Sequence, residues 1–285
     1  MRRVSDISFE RDSMGTLLEL TSVFEALASM RISQIKNQVQ EAQIFFDELW
    51  LIYNQLRVDS LFRFGRSKNV HPTIEKELFI IITAEGGFSG DIDQKLISLM
   101  LKSFDKTKHD IIVIGHHGAV QLAQNGIAFK KYFKLPENDM NINSAPIIAE
   151  VQKYKSTTVY YQTYVSLMVQ DVKRISLALA VQEKGKNVLA GEEIISEDTY
   201  IFEPSTFAVV DHLERSMLQI AVSQVILESK LAQYASRFRA MSTSHTRADE
   251  LYKSLNMSYN RSMRAIKDER LKEIVNGLRK AGVSA

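Results

Sequence analysis

The sequence predicts an α/β protein in which long N- and C-terminal helices pair as an antiparallel coiled coil and flank one central open-sheet domain. Glycine and proline crowd into the middle of the 285-residue chain. Apolar residues recur at helical spacing in both ends, and the middle carries β-rich runs interleaved with helical ones.

Neither glycine nor proline occurs between Gly15 and Gly65, or between Pro204 and Gly277. These two residues cost most inside a helix, so their absence permits long uninterrupted ones. The resulting division is 1–64 as an N-terminal coiled-coil helix, 65–204 as the α/β domain and 205–285 as a C-terminal coiled-coil helix. Ser205 or Thr206, directly after Pro204, supplies the N-cap of the last helix.

Both ends carry a seam. In the C-terminal segment steps of three and four run through Met217, Ile220, Gln224, Leu227, Leu231, Tyr234, Phe238, Met241, His245, Ala248, Tyr252, Leu255, Tyr259, Ser262 and Ile266. The N-terminal segment repeats the rhythm through Ala28, Ile32, Ile35, Val39, Ala42, Phe46, Leu49, Tyr53 and Leu56. A period near 3.5 keeps one stripe facing a partner helix, whereas a helix on an ordinary core follows 3.6. About seventy residues at ~1.5 Å each make a rod of roughly 100 Å, more than a chain of this size can cover. Part of the coil is therefore expected to project.

In the middle, "ELFIIIT" (77–83) and "DIIVIG" (110–115) have the unbroken apolar character of buried parallel strands, each followed by a helical pattern. "TTVYYQTYVS" (157–166) and "QDVKRISLALAVQE" (170–183) are β-rich across a short turn and read as a hairpin. An open, Rossmann-like sheet with helices on its faces accommodates all four. "GKNVLAGEEIISEDTY" (185–200) reads as irregular connection.

Composition narrows the chemistry. With 45% hydrophobic residues the chain can bury a sizeable core, and a net charge of +2 argues neither for nor against nucleic acid. The absence of cysteine excludes disulfides, a thiolate nucleophile and cysteine-bound metal. No apolar run reaches the ~20 residues of a membrane-spanning helix, and "MRRVSDISFERD" fits neither a secretory signal nor a transit peptide. A cytoplasmic chain is expected.

The most tempting motif is "FIIITAEGGFSGDID" (79–93), in which a strand runs into a glycine loop and then a helix. That order can cradle a phosphate. A Walker loop, however, needs Lys and Ser/Thr after its last glycine, and here Gly90 is followed by Asp91, with Glu85 and Asp93 close by. Gly86, Gly87 and Gly90 are spaced G-G-x-x-G, which misses the dinucleotide fingerprint. The loop reads as a structural glycine turn. "GHHG" (115–118) lacks the His spacing of a metal site and reads as a turn after a strand. No catalytic constellation, cofactor or metal site is predicted. Two other readings stay open: an enzyme binding nucleotide at the 86–90 loop, and a coiled-coil adaptor.

A family resemblance covers nearly the whole chain. "YIFEP" (200–204), "ASRFRAM" (235–241) and "SYNRSMRAIKDERLKEIVNG" (258–277) are similar, in order and spacing, to motifs of the γ subunit of F-type rotary ATP synthases. "TAEGGFSGDID" (83–93), "VIGHHGAVQL" (113–122) and "TSVFEALASMRISQ" (21–34) resemble its glycine loop, its I-G-x-K-G stretch and its first helix. The resemblance implies a non-catalytic central rotor that transmits torque between the c-ring and the catalytic hexamer and couples ion translocation to ATP synthesis or hydrolysis. Its implied partners are the α and β subunits (α3β3 hexamer), the ε subunit and the c-ring. No nucleic acid is involved, and membrane contact runs only through the c-ring. The implied location is peripheral, on the cytoplasmic face of a bacterial plasma membrane.

Residue by residue, the resemblance places Arg237, Arg264, Asp268 and Glu269 at rotor–stator contacts. It places Ile274, Val275, Leu278 and Val283 in an apolar bearing, and makes Gly86, Gly87 and Gly90 a structural turn. Gly86 stands where the family has arginine and Ser89 where it has cysteine. Met263-Arg264 replaces R-Q, and Asp268-Glu269-Arg270 replaces T-Q-E. The chain is thus expected to be a divergent member, or a paralogue, with rewired polar contacts.

Overall fold

Helix α1 (Val4–Gln55) and the last helix, α5 (Thr206–Gly282), realise the breaker-free segments. The computed structural model describes residues 3–55, 74–136, 142–177, 201 and 203–282. Leu56, the 185–200 connection and Val283 lie outside these residues. The expected N-cap forms: the Ser205 hydroxyl accepts the Ala208 N–H at 3.3 Å. The chain divides into two compact units, one of Met1–Leu27 with Arg239–Ala285 and one of Ala28–Phe238.

In the first unit the helix ends pair antiparallel. Arg11 lies 4.5 Å over the Tyr259 ring, while Gly15, one turn later in α1, faces Tyr252, two turns earlier in α5. Ile7, Met241 and Ala248 are buried. Along α5 Tyr252, Leu255, Tyr259, Ser262 and Ile266 are half-buried at the expected seam positions, with Asn256 and Met263 half-buried beside them. From Lys267 to Arg279 every residue is exposed, since α1 begins at Val4 and no described residue covers that stretch.

The second unit holds the sheet. Its elements are β1 (Ile74–Ile82), α2 (Ile92–Leu101), β2 (His109–Ile114), α3 (His116–Gln124), β3 (Lys131–Phe133), α4 (Ala145–Val151), β4 (Tyr154–Tyr164) and β5 (Gln170–Ser176). The sheet order is β3-β2-β1-β4-β5. The first four strands are mutually parallel, and β5 returns antiparallel on β4, with Thr158 opposite Ser176. Both expected parallel strands are present, and so is the hairpin as far as Ser176, residues 178–183 of its expected second run lying outside the described residues. β1 and β4 start three residues earlier than their apolar runs, because Ile74 pairs with Tyr154 and Glu77 with Ser156.

Strand alternation divides the core. Phe79, Ile81, Ile111, Val113 and Tyr160 face α2 and α3, packing on Leu96, Met100 and Leu122. Leu78, Ile80, Ile82, Ile112, Ile114 and Val159 face the paired long helices, meeting Phe46 of α1 and Met217 to Ile226 of α5. The seam continues where Ile35 packs on Leu227 and Leu231. Its polar member Gln224 donates to Gln43 Oε1 at 2.6 Å, and Gln43 donates in turn to Asp47 at 2.7 Å.

Candidate functional site: a filled crevice at the head of the sheet

In an open parallel sheet a ligand binds at the carboxyl ends of the strands, where the strand order reverses. Here that point lies between β1, whose chain runs on toward β2, and β4 on its other side. It holds side chains of α5. The glycine loop and α2 bring Asp93 to the crevice floor, where it is 2% exposed. Asp93 accepts the Ala84 N–H at 3.2 and 3.3 Å and the Gln162 side-chain amide at 2.7 Å, and His117 Nδ1 stands 3.1 Å away. Gln162, fully buried on β4, accepts hydrogen bonds from the Ser229 hydroxyl and, at 3.2 Å, from Gln233 of α5. Gln233 also donates to Ser229 at 3.1 Å.

The same face of α5 continues outward. Ser236 donates to the Ser89 carbonyl at 2.6 Å. Arg237 donates from Nε to the Gly87 carbonyl at 3.1 Å and from Nη2 to the Gly86 carbonyl at 3.3 Å, with its guanidinium 5.2 Å over Tyr234. Thr163 donates to Glu228 at 2.6 Å, and Lys230 to the Pro136 carbonyl at 2.7 Å. Burial pushes the Asp93 carboxyl up, against the hydrogen bonds from Ala84, His117 and Ser89 that pull it down.

The neighbouring helix N-terminus is filled as well. One Glu85 carboxylate oxygen accepts the backbone N–H groups of His116 and Leu135, each at 3.2 Å, and the other accepts Tyr132 OH at 3.1 Å. A carboxylate of the chain itself thus occupies the start of α3, where an anion would sit. In "GHHG" the glycines carry the constraint. Gly115 has φ +100, and a Cβ there would lie 2.0 Å from the Thr83 carbonyl oxygen. At Gly118 it would lie 2.6 Å from Thr83 Oγ1, which accepts the Gly118 N–H at 2.9 Å. Among the described residues no group of three or more His, Asp or Glu side chains is placed to hold a metal.

The expected site residues fall into two sets. Arg237 stands half-buried on the glycine loop, whereas Arg264, Asp268, Glu269, Ile274, Val275 and Leu278 are exposed along the end of α5. In the loop itself Gly90 has φ 68, and Phe88, largely exposed, has φ 66. A Cβ at Gly87 would meet nothing, and one at Gly86 only Arg237 at 3.5 Å. Sequence reasoning missed Gln162, Ser229, Gln233 and Ser236. Their signal is a polar stripe on α5 beside the apolar seam, together with a lone glutamine in an aromatic-rich strand.

The fold is thus a mixed α/β one, a five-stranded sheet between long N- and C-terminal helices, whose crevice is filled by side chains of its own last helix. A family model described as ATP synthase matches residues 4–279, and the chain belongs to that family. Among its relatives, the ATP synthase gamma chain of Halothermothrix orenii is 24% identical, over 97% of this chain and 98% of that one. The ATP synthase gamma chain of Chlorobaculum parvum is 23% identical over the same shares. Among solved structures, a chain of the Euglena gracilis mitochondrial ATP synthase (OSCP/F1/c-ring, rotational state 3) matches with a TM-score of 0.63 at 14% identity, covering 96% of this chain and 94% of that one.

Proposed function

We propose that the chain is the central rotor shaft of a rotary F1Fo ATP synthase, carrying torque between a membrane c-ring and a catalytic hexamer of α and β subunits. The observation that carries this reading is the end-to-end match to the family, residues 4–279, which takes in both long helices as well as the sheet. The filled crevice supports it, because the position where an α/β domain would take a nucleotide is built from Gln162, Ser229 and Gln233. ATP chemistry then belongs to the other subunits, and this chain contributes shape and stiffness.

The exposed end of α5 suits the hexamer. Ile274, Val275 and Leu278 offer apolar surface for a bearing, which Val283 would extend, and Arg264, Asp268 and Glu269 offer charge to the surrounding subunits. Arg237 would serve there too while holding the glycine loop with Gly86, Gly87 and Gly90. The ε subunit and the c-ring would bind the α/β unit. Among the described residues no helix is long and apolar enough to cross a membrane, so attachment would run through the c-ring. The location that follows is the cytoplasmic face of a bacterial plasma membrane.

Co-expression with α and β tests the reading. A complex of three α, three β and one copy of this chain is expected, with ATPase activity that collapses when the residues after Ile266 are removed. Failure to assemble, or activity indifferent to the truncation, overturns it.

A further inference from the structure

α5 meets the sheet domain in two different ways. From Met217 to Ile226 the side that lies on the sheet face is apolar, while Ser223 and the Gln219 carbonyl bond to Ser144 beside it. From Glu228 to Arg237 it is polar, and Glu228, Ser229, Lys230, Gln233, Ser236 and Arg237 each bond to β4, to the 86–89 loop or to Pro136. Apolar burial is non-directional and sets the angle of a helix less strictly than hydrogen bonds do. Hydrogen bonds are directional, and breaking buried ones leaves unsatisfied groups at about 1–3 kcal/mol each. Fixing register is the best-attested use of such buried polar groups.

We propose that the buried polar face of α5 around Ser229 and Gln233, keyed into Gln162 and the 86–89 carbonyls, is the torsional lock that makes α5 and the sheet domain turn together. The inference rests on the rotor reading and assigns its torque path within this chain. Load entering through the sheet domain would otherwise meet the apolar contact of α5 and the more exposed hydrogen bonds of Ser223 and the Gln219 carbonyl to the 142–144 segment. Ser229 and Gln233 grip one fully buried glutamine from two positions a turn apart, so rotation of α5 in either sense pulls at least one bond out of line.

The test uses the complete F1Fo complex in sealed vesicles, with ATP hydrolysis and the ATP-driven membrane potential measured together. The potential is read by an oxonol dye, which reports charge movement whichever ion is pumped. In Gln162→Leu/Ser229→Ala/Gln233→Leu, apolar groups of similar size replace the buried centre of the lock and keep the packing. Hydrolysis is expected to stay within about twofold of the parent, while potential per ATP falls at least fivefold. Ser229→Ala alone, the milder change, should lower the same ratio less, and it serves if the triple variant does not fold.

Rescue separates slip from simple damage. A Cβ at Gly90 would lie 3.4 Å from Ser236 Oγ, and the chain has no cysteine of its own. Gly90→Cys with Ser236→Cys, added to the triple variant, should restore the ratio on oxidation and lose it again on reduction. An unchanged potential per ATP, or a loss that the formed cross-link leaves in place, overturns the lock. A parent complex that assembles but builds no potential would instead count against the rotor reading.

Discussion

Thr83 and Gly118 are locked across the head of the sheet: the Thr83 hydroxyl accepts the Gly118 N–H at 2.9 Å and points to the Ile114 and Gly115 carbonyls at 3.1 Å. The contact joins the end of β1 to the first turn of α3 and leaves no room for a Cβ at 115 or 118.

Gly115→Ala should therefore be severe. The new methyl meets the Thr83 carbonyl at 2.0 Å, in a left-handed backbone, and should destabilise by about 2–5 kcal/mol in urea unfolding. Gly87→Ala, where a Cβ meets nothing, should lie within about 0.5 kcal/mol of the parent.

Glu85→Ala should lose about 1–3 kcal/mol, because the His116 and Leu135 N–H groups lose their shared acceptor. The same denaturant titration measures it. An effect below about 0.5 kcal/mol would mean that water replaces the carboxylate without loss.

Gly15→Ala should stabilise by about 0.5–1 kcal/mol, since it removes a glycine from a helix interior. Its Cβ would rest 3.6 Å from the Tyr252 ring, an ordinary contact. Thermal unfolding should show a rise of a few degrees.

Stability should also fall with rising pH through Glu214. Burial, helped by the Asp211 charge, pushes its carboxyl from 4.5 up to about 7. The folded state then holds a proton that the unfolded chain has released between those values. That contribution is full below pH 4.5 and lost as pH rises through about 7. Glu214→Gln should flatten the slope between pH 5 and pH 8 in urea midpoints. A slope unchanged by the substitution would assign the pH dependence to other groups.

The long helices were legible because a seam leaves a repeating trace. Ile35, Met217 and Leu231 are buried as their spacing requires. The runs of β1 and β2 were legible because burial on both faces leaves unbroken apolar sequence. β3 was not, since its three residues, Lys131, Tyr132 and Phe133, carry too short a pattern. The polar lock escaped for a different reason. Ser229, Gln233 and Ser236 resemble the solvated side of a helix, and only their distant partners Gln162 and Ser89 bury them. Glu85 was recognised as hostile to phosphate, but its backbone partner Leu135 lies 50 residues on, beyond any local pattern.

The glutamine pair within the seam sets a final constraint. Gln224 reaches the Gln43 side-chain carbonyl at only one axial setting of the two helices. Displacing either helix by a heptad would take the buried Gln224 amide away from that acceptor, at a cost of roughly 1–3 kcal/mol, while Gln43 keeps its bond to Asp47. Around that pair the two helices have a ratchet tooth against telescoping: for one to creep lengthwise past the other, that bond must first break.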